Sequence, residues 1–405
     1  MTAKRGNPRV PNIHLQHGAV LMLMLLIMVL GTAVFLVSTL STSALKNARK
    51  EITALALAQA KEALISYAIS SENINGGAGT SRPGNFPCPD TDAPGSSGYG
   101  DEQASCAIGA IGRLPWKTLG LPELTDESGE PLWFALSGNF RKSSSVINSD
   151  TKGTLQVYDR DGSTLLTPPG NEAVAIVFSP GAIIGSQQRN SATDKTTAFN
   201  YLDSANSRNN ATVNGPFIAA DNNGSFNDRL IVIRTRDFMP VIEKRIAKEL
   251  KSILANYRAD NGVYPYPAPF SSCKSSVTCD SNTSICRGRL PYNALPADWV
   301  GSYSLPSAAG GSSWFTTNLW YRVIYYSAGT NRLASSPPGC SAALNVSGNS
   351  TAAIFFMPGS PLGNITRPYP NNNLSLYLED AENQNMNDNY LTPTTISNDQ
   401  LYRLP

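Results

Sequence analysis

Four acidic residues, Asp90, Asp92, Asp101 and Glu102, fall within one short glycine- and proline-rich stretch bounded by Cys88 and Cys106. Carboxylate oxygens gathered on a closed loop are the donors that a hard divalent cation takes, which makes calcium the candidate ligand. The spacing matches no regular calcium loop, and a merely solvated acidic loop has the same composition. A second acidic stretch, Asp159, Asp161 and Gly162, has the composition of a plain β-turn. The chain has two histidines, His14 and His17, both in a short basic leader that is expected to be removed. The mature chain then has none, which excludes histidine-based triads and histidine-ligated zinc. A glycosidase can work with two carboxylates alone, but no pair stands out by context. The chain is therefore expected not to be an enzyme, with no catalytic residue and no cofactor required.

Charge narrows the partners further. The whole chain carries a formal +2, and loss of Lys4, Arg5 and Arg9 with the leader makes the balance slightly negative. That argues against a nucleic-acid partner. Six cysteines, Cys88, Cys106, Cys273, Cys279, Cys286 and Cys340, are even in number, follow no compact metal spacing and all lie downstream of the N-terminal apolar run. Disulfides formed in an oxidising compartment are the natural reading. Cys88 with Cys106 is expected to close a loop worth about 3 kcal/mol.

These residues must be positioned by a few elements. From Ala19 to Leu40 the chain has no charged residue, enough to cross a bilayer and longer than the core of an ordinary secretory signal. The basic residues before it favour a cytoplasmic N-terminus, although Lys46, Arg49 and Lys50 weaken the asymmetry. Leu45, Ala48, Ile52, Leu55, Ala56, Ala60, Ala63, Leu64 and Tyr67 then recur at three- and four-residue steps, so the helix continues to residue 69 as an amphipathic one. Residues 19–69 would make a rod of about 76 Å. The expected division is a leader (1–18), a membrane part (19–40) and an amphipathic part (41–69) of one helix, and two head modules (70–238 and 239–405).

A short basic leader ending in Gly18, with an apolar helix opening at once on Ala19, resembles the N-terminus of type IV prepilins. The resemblance implies cleavage after Gly18 by the prepilin peptidase and N-methylation of Ala19. It also implies assembly with other pilins or pseudopilins through the helix, with Leu23, Gly31, Leu45, Ile52 and Leu55 among the residues it would present. Most pilins carry Glu where this chain has Leu23, the fifth residue after Gly18. A carboxylate there is thought to pair with a neighbouring subunit's terminal amine, because a lone charge in lipid is costly. Tip-type pseudopilins share the departure, so the resemblance implies a minor pilin or pseudopilin at or near a filament tip. The protein would sit in the bacterial inner membrane by a single pass, with its head in the periplasm and at the cell surface after assembly. Calcium sites in some tip-type pseudopilins are a family-level hint for the acidic loop. The alternatives are a signal-anchored periplasmic binding module and a carboxylate-based periplasmic hydrolase.

Comparing the chain with itself brings out an ordered series of paired strings. Residues 56–67 (ALAQAKEALISY) are echoed by 246–257 (IAKELKSILANY), and 112–116 (GRLPW) by 288–292 (GRLPY). Leu132, Trp133 and Phe134 pair with Leu319, Trp320 and Tyr321; residues 173–181 (AVAIVFSPG) with 352–359 (AAIFFMPG). Tyr201, Leu202 and Asp203 pair with Tyr377, Leu378 and Glu379, and Asn227, Asp228 and Leu230 with Asn398, Asp399 and Leu401. The expectation is an α+β fold: a long N-terminal helix packed on an antiparallel sheet, then a duplicated helix-plus-sheet module joined near residues 238–241. Candidate strands are 173–178, 229–234, 319–326 and 352–357. Trp116, Trp133 and Tyr292 are expected in cores, with Arg113 and Arg289 ordering nearby loops. By the repeat, Cys273 would pair with Cys286 in imitation of the first bridge, leaving Cys279 with Cys340.

Overall fold

The computed structural model describes residues 24, 28–29, 44, 47–70, 82–142, 146–270, 279, 281–291, 314–363, 365–367, 373–395 and 397–405. The chain divides into two compact units, Met1–Ala54 and Leu55–Pro405. In the first, Met24, Met28 and Val29 are helical and exposed.

Helix α1 (Asn47–Ser70) is long and apolar enough to cross a membrane by length and composition, a test that the core helix of a soluble protein also passes. Within the second unit it is a core helix along one side. Leu57, Ala60, Leu64, Tyr67 and Ala68 are buried at three- and four-residue steps, while Leu55, Gln59, Glu62 and Ser66 are exposed. This is the stripe that a 3.6-residue period lays against a sheet.

The sheet is antiparallel, with β1 (Ile111–Arg113), β2 (Trp133–Leu136), β3 (Ala173–Ser179) and β4 (Arg229–Arg234) side by side in chain order. Both faces are covered. Phe134, Leu136, Val174, Ala175, Val177 and Ile233 belong to the core that includes α1, and Trp133, Ala135, Ala173, Ile176 and Phe178 to a second core with Val157, Tyr201 and Phe217. An irregularity between Ala173 and Ala175 in the β3–β4 register places the neighbours Val174 and Ala175 in the same core. A bulge does this by adding one residue to one strand.

Helix α2 (Thr235–Asn261) follows β4 directly, burying Phe238, Ile242, Ile246, Leu250, Ile253, Leu254 and Tyr257. Gly262 ends it at φ 74°, donating its amide hydrogen to the Arg258 carbonyl, in the left-handed conformation that glycine reaches without penalty. A second antiparallel sheet runs in chain order through β5 (Arg287–Arg289), β6 (Tyr325–Ala328), β7 (Ala353–Met357) and β8 (Gln400–Leu404).

Two details depart from the sequence reading. The division between residues 238 and 239 falls inside α2, and residues of both sheets, α1 and α2 share one core. The ring of Phe238 lies 4.8 Å from that of Phe86 and 5.7 Å from that of Phe140, so the start of α2 is packed into the first half. The expected strand 319–326 is also different. Leu319 has φ 58°, Trp320–Val323 form a helical turn, and the strand opens only at Tyr325. The pairing of Leu319–Tyr321 with Leu132–Phe134 therefore sets a helical turn against a strand. A short apolar aromatic run reads alike in either conformation. Just before the turn, Asn318 Oδ1 accepts the Ile147 amide hydrogen at 2.9 Å while its Nδ2 donates to the Trp314 carbonyl at 2.8 Å.

Because Phe238 is shared between the halves, Phe238→Ala should cost about 3–5 kcal/mol. Urea unfolding of the detergent-extracted protein should show one transition, moved to lower denaturant. Two transitions, with only one of them shifted, would contradict a shared core.

Candidate functional site

The acidic loop is closed by a Cys88–Cys106 disulfide with Cα atoms 5.6 Å apart. Its carboxylates are distributed among protein donors. Asp90, fully buried, accepts the amide hydrogens of Asp92 at 2.7 Å and Gly100 at 2.9 Å, and its Oδ2 lies 3.5 Å from Arg113 Nε. Burial pushes the Asp90 carboxyl up, against those hydrogen bonds and Arg113. Asp92 accepts from Gln103 Nε2 at 2.8 Å. Glu102 pairs with Lys142 and accepts from Tyr67 Oη at 3.1 Å, while Asp101 sits exposed, 4.0 Å from Lys117. No group of three or more His, Cys, Asp or Glu side chains that could hold a metal ion is found among the described residues. The four acids expected to act together are thus divided: Asp90 orders the loop from inside, and Glu102 ties it to Tyr67 on α1.

Arg113 on β1 is buried, with its guanidinium 5.2 Å from the Tyr99 ring and 6.0 Å from that of Trp133. Arg289 on β5 is also buried, 5.2 Å from Phe270 and 5.1 Å from Tyr377. The glycine before each arginine permits a close backbone approach. A Cβ on Gly112 would meet the Asp90 carbonyl at 2.6 Å, and one on Gly288 that of Ala268 at 2.1 Å. Asp159, Asp161 and Gly162 form an exposed turn, where Asp161 accepts from Ser163 and Thr164. Trp133 is in a core, Trp116 is half-buried, and Tyr292 lies outside the described residues.

A pair of arginine clamps escaped the sequence reading. Arg189 donates to the Asn200 carbonyl at 2.8 Å and the Gly181 carbonyl at 3.0 Å, lies 4.3 Å over the Tyr201 ring and pairs with Glu130 at 3.0 Å. Arg367 donates to the Leu376 carbonyl at 2.6 Å and the Gly359 carbonyl at 2.7 Å, lies 5.0 Å over the Tyr377 ring and pairs with Asp150 at 3.2 Å. Beside each is a pair of acids. The Asp203 amide donates to Asp228 and the Asn227 amide to Asp203; the Glu379 amide donates to Asp399 and the Asn398 amide to Glu379. Gly181 and Gly359 both have positive φ, with Asn227 and Asn398 packed where a Cβ would stand. The signal was present as one spacing: proline, glycine, and arginine nine residues after the proline, in Pro180, Gly181, Arg189 and again in Pro358, Gly359, Arg367.

In the second half Cys286 is bonded to Cys340, which overturns the expected pairs Cys273–Cys286 and Cys279–Cys340. The reason lies in the flanking residues. Arg287 grips Asp388 through Nε at 2.5 Å and Nη2 at 2.6 Å, and Asp388 also accepts the Ser341 amide hydrogen at 2.7 Å. One carboxylate thus holds the neighbours of both cysteines. Burial raises the Asp388 carboxyl, but these bonds outweigh it and hold the group below its ordinary value. Cys279 is also disulfide-bonded, and Cys273 lies outside the described residues.

Of the assembly and processing residues, Gly18, Ala19, Leu23, Gly31 and Leu45 lie outside the described residues. Ile52 and Leu55 are described, helical, and 51% and 63% exposed. No family model, curated protein or solved structure matches this chain.

Peptide mapping without reduction should recover Cys88 joined to Cys106 and Cys286 joined to Cys340. A peptide joining Cys279 to Cys340 would contradict the arrangement around Asp388.

Proposed function

We propose that this protein is a large minor pilin or pseudopilin that acts by assembly and binding, not catalysis. Its apolar N-terminal helix would hold it in the bacterial inner membrane until a filament forms, and lie among similar helices of other pilins afterwards. Processing after Gly18 by the prepilin peptidase would release a chain beginning at Ala19. The absence of a carboxylate at Leu23 suits a place at or near the tip of a pilus or secretion pseudopilus, where fewer neighbours are needed.

The observation that carries this reading is the two-sided character of α1. One apolar stripe is used up inside the head, while Ile52 and Leu55 remain exposed on the helix. A helix serving only its own core would have polar residues there. The disulfides suit a periplasmic and then extracellular head.

We read the head as two related helix-plus-sheet modules. Both sheets run in chain order, each begins with a Gly-Arg pair on its first strand, and each carries the same arginine clamp and acid pair. The tight loops so fixed would present a broad, rigid surface to other subunits or to a capture target.

Replacing Gly18 with a bulky residue should leave the protein at its precursor size on a gel. Unchanged processing would favour a simple signal anchor. Leu55→Lys or Ile52→Lys, both at exposed positions, should leave head stability within about 0.5 kcal/mol yet reduce recovery in sheared filament fractions. Undiminished recovery would count against the helix as the assembly element.

A further inference from the structure

Glu243 lies on α2 with no solvent exposure. Its Oε2 is 3.4 Å from Gln400 Nε2, a donor shared with the Pro240 carbonyl at 3.2 Å. Its Oε1 has no partner of good geometry, and the Ser149 hydroxyl packs alongside, near enough to favour the ionised carboxyl, though by less than burial disfavours it. Three parts of the unit meet here: the 146–152 loop of the first half, α2, and the second half through β8 and the Arg367 clamp. The same seam carries the Asn148 Nδ2 bond to the Asn318 carbonyl at 3.0 Å and the Lys152 bond to the Ile365 carbonyl at 3.3 Å.

The charges facing Glu243 do not neutralise it. Arg367 is committed to Asp150 and to the carbonyls of Pro358, Gly359 and Leu376. Asp150 and Glu379 face it with the same sign, and Tyr402 faces it from β8. Arg289 and Lys152 act on Asp150, and Asp399 is held next to Glu379. On α2 itself, Arg245 pairs with Glu249 at 3.0 Å. An ionised carboxylate enclosed in this way, with no cation of its own, costs several kcal/mol. The neutral acid avoids that cost, and it has a hydroxyl to give where the carboxylate has none; the Ser149 hydroxyl, which can donate to the carboxylate, can also accept.

We infer that Glu243 is a protonated latch at the seam, holding the 146–152 loop against α2 and β8 as a neutral acid and releasing it when it ionises. Burial pushes this carboxyl from its ordinary 4.5 up to about 8. A raised acid contributes its full stabilisation below the ordinary value and loses it as pH climbs towards the raised one. The latch is therefore strongest in acid, weakens through neutral pH and is lost by about pH 8. Burial and Glu379 raise the Asp399 carboxyl as well, so the test must separate the two acids.

The test is amide hydrogen exchange on the full-length protein in detergent, from about pH 6 to about pH 9, corrected for the intrinsic rate. Peptides covering 146–152 should lose about a hundredfold in protection, nearly all of it between about pH 6 and about pH 8, since release becomes about tenfold easier for each pH unit between the ordinary and the raised value. In Glu243→Gln the protection should persist at the alkaline end, while in Asp399→Asn these peptides should still lose it. Equal loss in wild type and Glu243→Gln, or persistence in Asp399→Asn alone, overturns the assignment to Glu243. An unchanged wild type overturns it whatever the variants do.

Discussion

The second unit depends on one constraint: each helix must bury its apolar stripe against a sheet, and α2 must do so while starting inside the first half. Phe238 lies among Phe86 and Phe140, and the stripe from Ile242 to Tyr257 runs on in the core shared with the second sheet. Each fully buried side chain of this size contributes about 1.5–3 kcal/mol. The same residues that anchor one sheet therefore brace the other.

Polar groups in the interior specify what the apolar core cannot. Arg189 and Arg367 each draw together loop carbonyls and a tyrosine face, and the acids beside them receive backbone amides from adjoining segments. Such groups are costly to bury unless nearly every donor is used. Here most donors go to main-chain oxygens, so the clamps fix loop conformation more than they add stability. Glu243 differs: it is enclosed without a cation, and its protonation state matters for that reason.

Much of this was legible in the sequence. The helical spacing of Ala56, Ala60, Leu64 and Tyr67, and of Ile242, Ile246, Leu250 and Tyr257, follows from a 3.6-residue period, whereas Ile52 and Leu55, expected on the same stripe, are exposed and Leu57, not expected there, is buried. The unbroken β-branched and aromatic runs at 173–178, 229–234 and 352–357 coincide with strands to within a residue. The failures have physical causes. The run at 319–326 could not be assigned by periodicity, because a short apolar aromatic stretch reads alike as a helical turn or a strand. The pairing of Cys286 with Cys340 depends on Asp388, about a hundred residues from Arg287 in sequence. Composition records the carboxylates of the acidic loop and not the backbone amides, Lys142 and Arg113 that bond to Asp90 and Glu102.

The central claim is that the apolar rod behind the basic leader is a packing element among similar rods, matured as pilins are. Intact-mass and N-terminal analysis of the protein extracted from native membranes tests it most directly. The account predicts a chain that starts at Ala19 and carries one methyl group on its terminal amine. A chain that still starts at Met1 would contradict it.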